Sequence, residues 1–214
     1  MRQPLSSVAP GATLLPPVGR VSVDVPFAGD LDVRAVLAGV PHEQRLKGMF
    51  YQPLVDELGA DWGRVVTELV EPPRFGRFLP FTDYALVDHA DLAFRAARRR
   101  HPDLGLREAI RRVARADMLT FLGSTLGRIT AAVVRSPSEA LLAVPGVYKS
   151  VSRGPVFSAE AQGPTQVTLW LANGYGSWEY SIGQLEGIVG HYGVRPVTEC
   201  EQQPDGRRRF ELSW

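Results

Sequence analysis

Residues 195–214, RPVTECEQQPDGRRRFELSW, decide the fold because a turn signal separates two short segments of strand-like sequence. Proline presets the backbone φ for a turn and glycine tolerates positive φ, so Pro204-Asp205-Gly206 predicts a tight hairpin. The segments on either side, 195–200 and 207–214, are predicted as its two strands. We therefore expect the chain to end in an antiparallel pair of strands.

On the N-terminal side of this hairpin, apolar and polar residues alternate with the two-residue period of a strand as far back as Pro145. The pattern predicts three further strands in this part of the chain, at 147–151, 156–161 and 166–171. A short helix is predicted between these strands and the hairpin, over 180–192. The C-terminal part, about 146–214, is thus expected to be a mostly antiparallel sheet with one short helix.

Before Pro145 the apolar residues recur at the spacing of a helix, over about 31–143. Asp30 or Asp32 is predicted to cap a first helix that runs through Val40, and Glu43 begins a further helical pattern that continues to Leu58. Thr82 or Asp83 is predicted to cap a later, longer helix. Residues 116–134 are the most apolar of these segments and follow a separate helix at 106–113. They predict the central and most buried helix.

The predicted fold class is therefore α+β, with an N-terminal helical layer packed on the C-terminal sheet. Residues 1–19 are rich in Pro, Ser and Gly and are expected to form a flexible arm. A short strand is predicted over 21–25. The rest of the chain, 20–214, is expected to form a single domain.

The composition excludes several classes of protein. The 214 residues carry 24 Lys and Arg against 23 Asp and Glu, a formal net charge of +1, whereas nucleic-acid-binding proteins are usually strongly basic. No apolar run approaches the roughly 20 residues that span a bilayer, and the proline-containing N-terminal stretch lacks the continuous apolar region expected of a secretory signal. The one cysteine, Cys200, excludes an internal disulfide. We expect a cytoplasmic protein with no nucleic-acid partner and no membrane span.

No set of residues in the sequence predicts catalysis or a metal site. The four histidines are scattered and include no close ligand pair. The residues around Ser124 lack the glycine spacing of a nucleophile elbow, and no base is predicted beside Cys200. His89 and His101 remain open to two interpretations, an axial haem ligand or an ordinary histidine with a backbone partner. We therefore expect a protein that is not an enzyme and needs no metal or cofactor.

Charge and glycine each form one local pattern. Between residues 95 and 115 the sequence has eight arginines and two acids, and Arg98, Arg99, Arg100 and Arg111 are the candidates for an anion-binding or partner-binding patch. The alternative is that these arginines line the solvated faces of two helices. Separately, Gly183, Gly187 and Gly190 form a stripe on the C-terminal helix, which indicates close packing against the sheet or a second subunit.

The order of several motifs resembles a myxobacterial paralogous family of uncharacterised proteins. The motifs are Lys47-Gly48-Met49-Phe50, Pro80-Phe81-x-x-Tyr84 with Asp88, Phe121-x-x-Ser124-x-x-Gly127-Arg128, and the terminal Phe210-x-x-x-Trp214. The resemblance extends from Leu31 to the C-terminus. Its motif positions are Gly48, Phe81, Tyr84, Ser124, Gly127 and Arg128.

The C-terminal part also looks like the end of four-vinyl-reductase-like domains, which share a wider fold group with haem nitric-oxide-binding domains and transport-particle subunits. This distant resemblance implies a helical layer wrapped on an antiparallel sheet, with an apolar cavity between them. Two features depart from the group. Cys200 is the single cysteine, and Phe121, Ser124 and Arg128 do not reproduce the Tyr-x-Ser-x-Arg element of the haem-binding relatives.

Three functions follow from these observations. The first is a non-enzymatic regulatory or sensory module that binds a small apolar molecule, a protein partner, or both, and forms a homodimer. Its ligand cavity is predicted to be lined by Phe50, Phe94, Phe121 and Leu122. The second is a purely structural scaffold for protein–protein interaction. The third is a haem or gas sensor that uses His89 or His101.

Overall fold

The structure is a computed structural model that describes residues 21–23, 30–124, 127–128, 134–174 and 176–214. The arm predicted at 1–19 lies outside the described residues, as does most of the segment between 125 and 133. In the described part of the chain, no helix combines the length and apolar character needed to cross a membrane.

Five strands form the larger sheet, in the spatial order β1-β7-β8-β6-β5. β1 runs parallel to β7, and the other neighbours are antiparallel. The strands are β1 (Val21–Val23), β5 (Val156–Gly163), β6 (Gln166–Ala172), β7 (Val197–Gln202) and β8 (Arg208–Ser213). The predicted hairpin joins β7 to β8, and Gly206 adopts the positive φ of 84° that the turn requires. The prediction of an α+β fold is confirmed.

Two helices cover one face of this sheet. They are α6 (Pro137–Val151) and α7 (Trp178–His191). Alternate residues of β6 point toward them, so Val167 and Leu169 are fully buried. Phe210 and Leu212 of β8 belong to the same cluster, which we call the sheet core. Ser177 begins α7, because its hydroxyl accepts a hydrogen bond from the backbone N–H of Tyr180.

The remaining helices form the second layer. They are α1 (Val33–Ala38), α2 (Gln52–Leu58), α3 (Trp62–Val65), α4 (Leu86–Arg100) and α5 (Leu106–Gly123), with 3₁₀ turns at Gly48–Phe50, Gly59–Asp61 and Val66–Glu68. Asp32 caps α1 as predicted, accepting from the backbone N–H of Ala35 at 3.1 Å. Tyr51, Leu54, Leu92 and Ile110 are fully buried in the cluster that we call the helical core.

A second, three-stranded sheet was not predicted. It pairs β2 (Arg45–Lys47) with β3 (Asp83–Ala85) and β4 (Ser152–Arg153). Strands this short show no period in the sequence, and tertiary pairing alone reveals them. The helical pattern predicted over 43–58 was therefore wrong before Gln52. The predicted cap at Thr82 or Asp83 was also wrong, since Asp83 pairs in β3 and α4 begins after Ala85.

The strand predicted at 147–151 was wrong, because those residues form the last turns of α6. Pro145 lies inside this helix rather than ending it. Leu141, Val144 and Val151 are buried at helical spacing on both sides of the proline. Packing of this face on the sheet outweighs the hydrogen bond that proline removes.

The division between helices at 106–113 and 116–134 was also wrong. α5 is continuous from Leu106 to Gly123, since no breaker stands between the two predicted segments. The most buried part of α5 is its first half, around Ile110 and Val113, and its last turn is partly exposed. The end of the predicted helix, at 125–126 and 129–133, lies outside the described residues.

The glycine stripe of α7 packs on α5, whereas the sheet or a second subunit had been predicted as its partner. A Cβ atom at Gly183 would collide with the backbone carbonyl of Arg111. One at Gly187 would lie 2.9 Å from the Cβ of Met118. Glycine at these positions thus lets the two helix backbones approach each other closely. Helix α5 consequently contributes to both cores, with Ile110 in the helical core and Met118 in the sheet core.

Candidate functional site

An apolar cavity of about 150 Å³ lies where the helical layer meets the larger sheet. Its walls come from α4, α5, α6 and α7 together with residues of β5 and β6. The four residues predicted to line a cavity, Phe50, Phe94, Phe121 and Leu122, all lie in this wall. Phe94, Phe121 and Leu122 belong to helices α4 and α5, whereas Phe50 belongs to the 3₁₀ turn before α2. We call this space the first cavity.

Few polar groups reach the first cavity. His89 is 4% exposed, and its Nε2 lies 3.3 Å from the hydroxyl of Tyr180. Burial lowers the pKa of His89 from 6.5 to about 4, so the ring is neutral at pH 7. Tyr148 donates to Gln184 Oε1 at 2.7 Å, which satisfies a second pair of polar side chains in the wall.

A second cavity of about 280 Å³ adjoins the first. The two cavities share part of their walls, including Phe50 and Phe121, whose ring centroids are 5.1 Å apart. The second cavity is further lined by Met49, Pro53, Pro80, Phe81, Asp117, Thr120 and Ser124. Phe81 is 74% exposed and lies at the outer side of this space.

Asp117 supplies the carboxylate of the second cavity. It lies on α5 next to the buried Met118, and Tyr180 donates a hydrogen bond to its Oδ2 at 3.3 Å. Burial raises the pKa of Asp117 to about 7. Tyr180 thus contacts His89 on one side and Asp117 on the other, and it lines both cavities.

Sequence reasoning missed both Asp117 and Tyr180. Asp117 is the one acid in the apolar stretch 116–122, and this position on the buried side of a helix was the available signal. Tyr180 had no comparable signal, because it meets His89 only through the packing of α7 against the helical layer. The residues of this polar chain come from three helices that are distant in sequence.

The four arginines predicted as one patch do not form a single surface. Arg111 is mostly buried and forms an ion pair with Glu186 of α7. Arg99 pairs with Asp61, and Arg100 pairs with Glu57 at 2.6 Å. Arg98 is exposed at the end of α4. Three of these charges pair with acids of neighbouring segments, and binding of an anion or a partner by these arginines stays a prediction.

Three motif positions meet in one place. A Cβ atom at Gly48 would lie 2.8 Å from the ring of Tyr84 and would collide with the backbone of Leu79. Tyr84 in turn accepts a hydrogen bond from the N–H of Leu79 at 3.0 Å. Gly48 and Tyr84 therefore hold the segment that carries Phe81 against the start of α2, beside the second cavity.

The other three motif positions lie at and just after the end of α5. The sequence predicted that Ser124 lies inside a helix, but Ser124 is the residue at which α5 ends. Its hydroxyl donates to the Phe121 carbonyl at 2.6 Å and accepts from the Gly127 N–H at 3.1 Å. The N–H of Arg128 donates to the Ser124 carbonyl at 2.8 Å. The motif thus fixes the end of α5 next to both cavities.

The remaining candidates lie apart from the cavities. His101 follows α4 at its C-terminal end, where it is partly exposed. Cys200 is buried in β7, and burial raises the pKa of its thiol to about 12, so it is an unreactive thiol at pH 7. No cluster of three or more potential metal ligands occurs among the described residues.

Residues 40–214 match the model of a family described as "Protein of unknown function (DUF2378)", and the chain belongs to this family. No curated protein matches the chain. The match to the family model confirms the resemblance to a family of uncharacterised proteins. The myxobacterial and paralogous parts of that identification stay predictions.

The chain is similar in structure to H-NOX proteins. The Fe(II) unliganded H-NOX protein from K. algicida is 16% identical and covers 78% of this chain and 96% of its own, with a TM-score of 0.57. An H-NOX protein from S. oneidensis is 12% identical, with coverages of 78% and 95% and a TM-score of 0.58. A T. tengcongensis H-NOX mutant is 16% identical, with coverages of 78% and 95% and a TM-score of 0.54. These likenesses show a shared fold.

A further structural match concerns the modulation of haem redox potential by porphyrin distortion, which raises the question whether this chain fits a haem. The first cavity has a volume of about 150 Å³, which is that of an engineered protein cavity that binds benzene. A porphyrin contains four pyrrole rings and is much larger than benzene. Among the described residues of its wall, His89 is the one histidine, and Tyr180 already contacts its Nε2. The first cavity in this arrangement is therefore too small for a haem.

Proposed function

We propose that this protein is a non-enzymatic regulatory module whose first cavity binds a single small apolar molecule. The observation that carries the proposal is the cavity itself, which is walled by aromatic and aliphatic side chains such as Phe94 and Phe121. An apolar cavity of about 150 Å³ accommodates a molecule of the size of one aromatic ring.

Ligand binding regulates through the elements that form the wall. α4, α5, α6 and α7 all contribute side chains to it, so a bound molecule stabilises one arrangement of these helices over others. A protein partner or a second copy of the chain that contacts these helices would then sense the ligand. The proposal includes a homodimer in the cytoplasm of a myxobacterium, and the single buried Cys200 agrees with a reducing compartment.

The test is thermal and urea unfolding of the full chain with and without one-ring ligands, for which toluene and benzene are suitable probes. At a free concentration of 100 times the Kd, a ligand bound only by the folded state raises the free energy of unfolding by about 2.7 kcal/mol. Ala143 lines the first cavity, and Ala143→Leu is expected to fill it and abolish this stabilisation. Ala35→Leu, on the exposed side of α1, is the matched control.

Each possible result decides the proposal. A ligand-dependent increase that Ala143→Leu removes and Ala35→Leu retains supports an apolar ligand site. If no one-ring probe stabilises the wild-type chain, the ligand site is refuted, and a native mass spectrum of a ligand-free dimer then favours the scaffold function. A Soret absorbance band after haem reconstitution would instead favour the haem or gas sensor.

A further inference from the structure

The second cavity differs from the first in the charge of its wall. Aromatic and thioether side chains make up half of its lining residues, including Phe50, Phe81 and Met49. The described residues of the wall include one acid, Asp117, and no basic side chain. The site therefore has one negative charge in a wall whose other side chains are apolar, aromatic or uncharged polar groups.

Asp117 has no cationic partner among the described residues. Its described hydrogen bond is the one from Tyr180, at a long 3.3 Å, and no salt bridge to it occurs in the described part of the chain. The cation that lowers its pKa, Arg100, is itself paired with Glu57 at 2.6 Å. Burial therefore leaves this carboxylate poorly compensated, and its raised pKa of about 7 agrees with that.

We propose that the second cavity binds a small organic ammonium ion, with the Asp117 carboxylate as its counter-ion and the rings of Phe50, Phe81 and Phe121 around its alkyl groups. A carboxylate forms charge-assisted hydrogen bonds with an ammonium group, and aromatic faces attract cations through their quadrupoles. Both interactions strengthen where water is excluded.

Other ligand classes fit this cavity less well. An anion would meet the Asp117 carboxylate with no basic side chain in the described wall to offset it. A divalent metal needs more oxygen or nitrogen ligands than one carboxylate offers. A neutral hydrocarbon would leave the carboxylate buried without a partner, which costs free energy. An ammonium ion neutralises the carboxylate and uses the aromatic wall as well.

The size and position of the cavity limit the ligand. A space of about 280 Å³ accepts a small alkylammonium or quaternary ammonium ion rather than a long-chain one. Phe81 is 74% exposed, so the aromatic wall is open to solvent on its side and admits the ion without unfolding of the core. Gly48 and Tyr84 hold the segment that carries Phe81 in place.

Calorimetric titration of the full chain at pH 8 tests the proposal with n-butylammonium and with n-butanol, which has nearly the same shape and no charge. We expect the ammonium to bind at least tenfold more tightly than the alcohol. Asp117→Asn is expected to remove this preference, whereas Glu108→Gln, at a partly exposed acid of the same helix outside the wall of this cavity, leaves it unchanged. Circular dichroism establishes that each variant is folded.

A second variant tests the aromatic wall without touching the carboxylate. Phe81→Ala removes an exposed ring, so the chain is expected to fold, and the affinity for tetramethylammonium is expected to fall several-fold. Equal binding of butanol and butylammonium, or full ammonium binding by Asp117→Asn, would overturn the proposal. Binding of butylammonium must also persist in Ala143→Leu, because that substitution fills only the first cavity. This variant therefore distinguishes a failure of the ammonium site from a failure of the apolar ligand site.

Discussion

His89 and Asp117 lie on opposite sides of Tyr180, and burial moves their pKa values in opposite directions. The imidazole of His89 has its pKa lowered to about 4, and the carboxyl of Asp117 has its pKa raised to about 7. Both shifts favour the neutral form, because desolvation penalises the charged form of each group. At neutral pH the chain therefore holds a neutral histidine beside the first cavity and a partly charged carboxylate beside the second.

The lowered pKa of His89 predicts a specific loss of stability in acid. Between pH 6.5 and 4 the unfolded chain binds a proton at this residue that the folded chain does not, so stability falls as pH falls through this window. The loss attributable to His89 is up to roughly 3 kcal/mol. In urea unfolding from pH 7 to pH 4, His89→Gln is expected to lose less stability than the wild type. Equal losses in the two proteins would contradict the burial of a neutral histidine.

At the scale of single residues, the sequence was informative where the face of one helix determines which side chains point toward the interior. Phe50, Phe94, Phe121 and Leu122 were predicted as candidates to line a ligand cavity, and all four lie in the wall of the first cavity, although ligand binding there stays a prediction. The sequence did not predict the ion pairs of the arginine patch, because the acids that pair with it, such as Glu57 and Glu186, are supplied by other helices. Spacing along one segment carries no information about the charges that a different segment brings.

The central contact between elements is the one of α5 with α7. Glycines on α7 remove side-chain bulk, and Arg111 of α5 forms an ion pair with the buried Glu186 of α7. The close approach places Tyr180 of α7 within reach of Asp117 on α5. The polar chain between the two cavities therefore depends on these glycines.

Two glycines in different helices provide a matched pair of tests for this contact. A methyl group at Gly183 would meet the Arg111 backbone carbonyl and would lie 2.9 Å from Ala114 Cβ, whereas one at Gly146 in α6 meets nothing within 4 Å. Gly183→Ala is expected to cost about 1–3 kcal/mol through overpacking. Gly146→Ala is expected to stabilise by up to about 1 kcal/mol through helix propensity. Urea midpoints measure both, and the same sign for the two variants would contradict the close contact.

Whole elements were predicted correctly where the local signal and the tertiary packing agree, as in the β7–β8 hairpin and in α7. They were predicted wrongly where packing overrides the local signal. Pro145 ordinarily ends a helix, yet α6 continues through it because Leu141, Val144 and Val151 all bury the same face. β2, β3 and β4 have too few residues to show a pattern, and only pairing with one another makes them strands.

The whole molecule consists of two apolar cores that share one helix. The helical core includes Leu54 and Ile110, the sheet core includes Leu169 and Phe210, and α5 extends from one into the other. Because both cavities lie where these cores meet, a ligand in either cavity contacts both layers. The function proposed for the first cavity requires that the two layers respond as one unit.

We therefore predict that the two cores unfold together as a single domain. The Trp62→Phe background leaves the tryptophans of the sheet half as fluorescence probes, while circular dichroism at 222 nm follows the helices. Leu54→Ala in the helical core and Leu169→Ala in the sheet core, both fully buried, are each expected to cost about 2–5 kcal/mol. Each substitution is expected to move the midpoints of both probes by the same amount, since α5 carries the loss from one core to the other. A shift of the dichroism midpoint alone in Leu54→Ala would show that the helical layer unfolds separately, and a ligand at the junction would then act on two loosely coupled units.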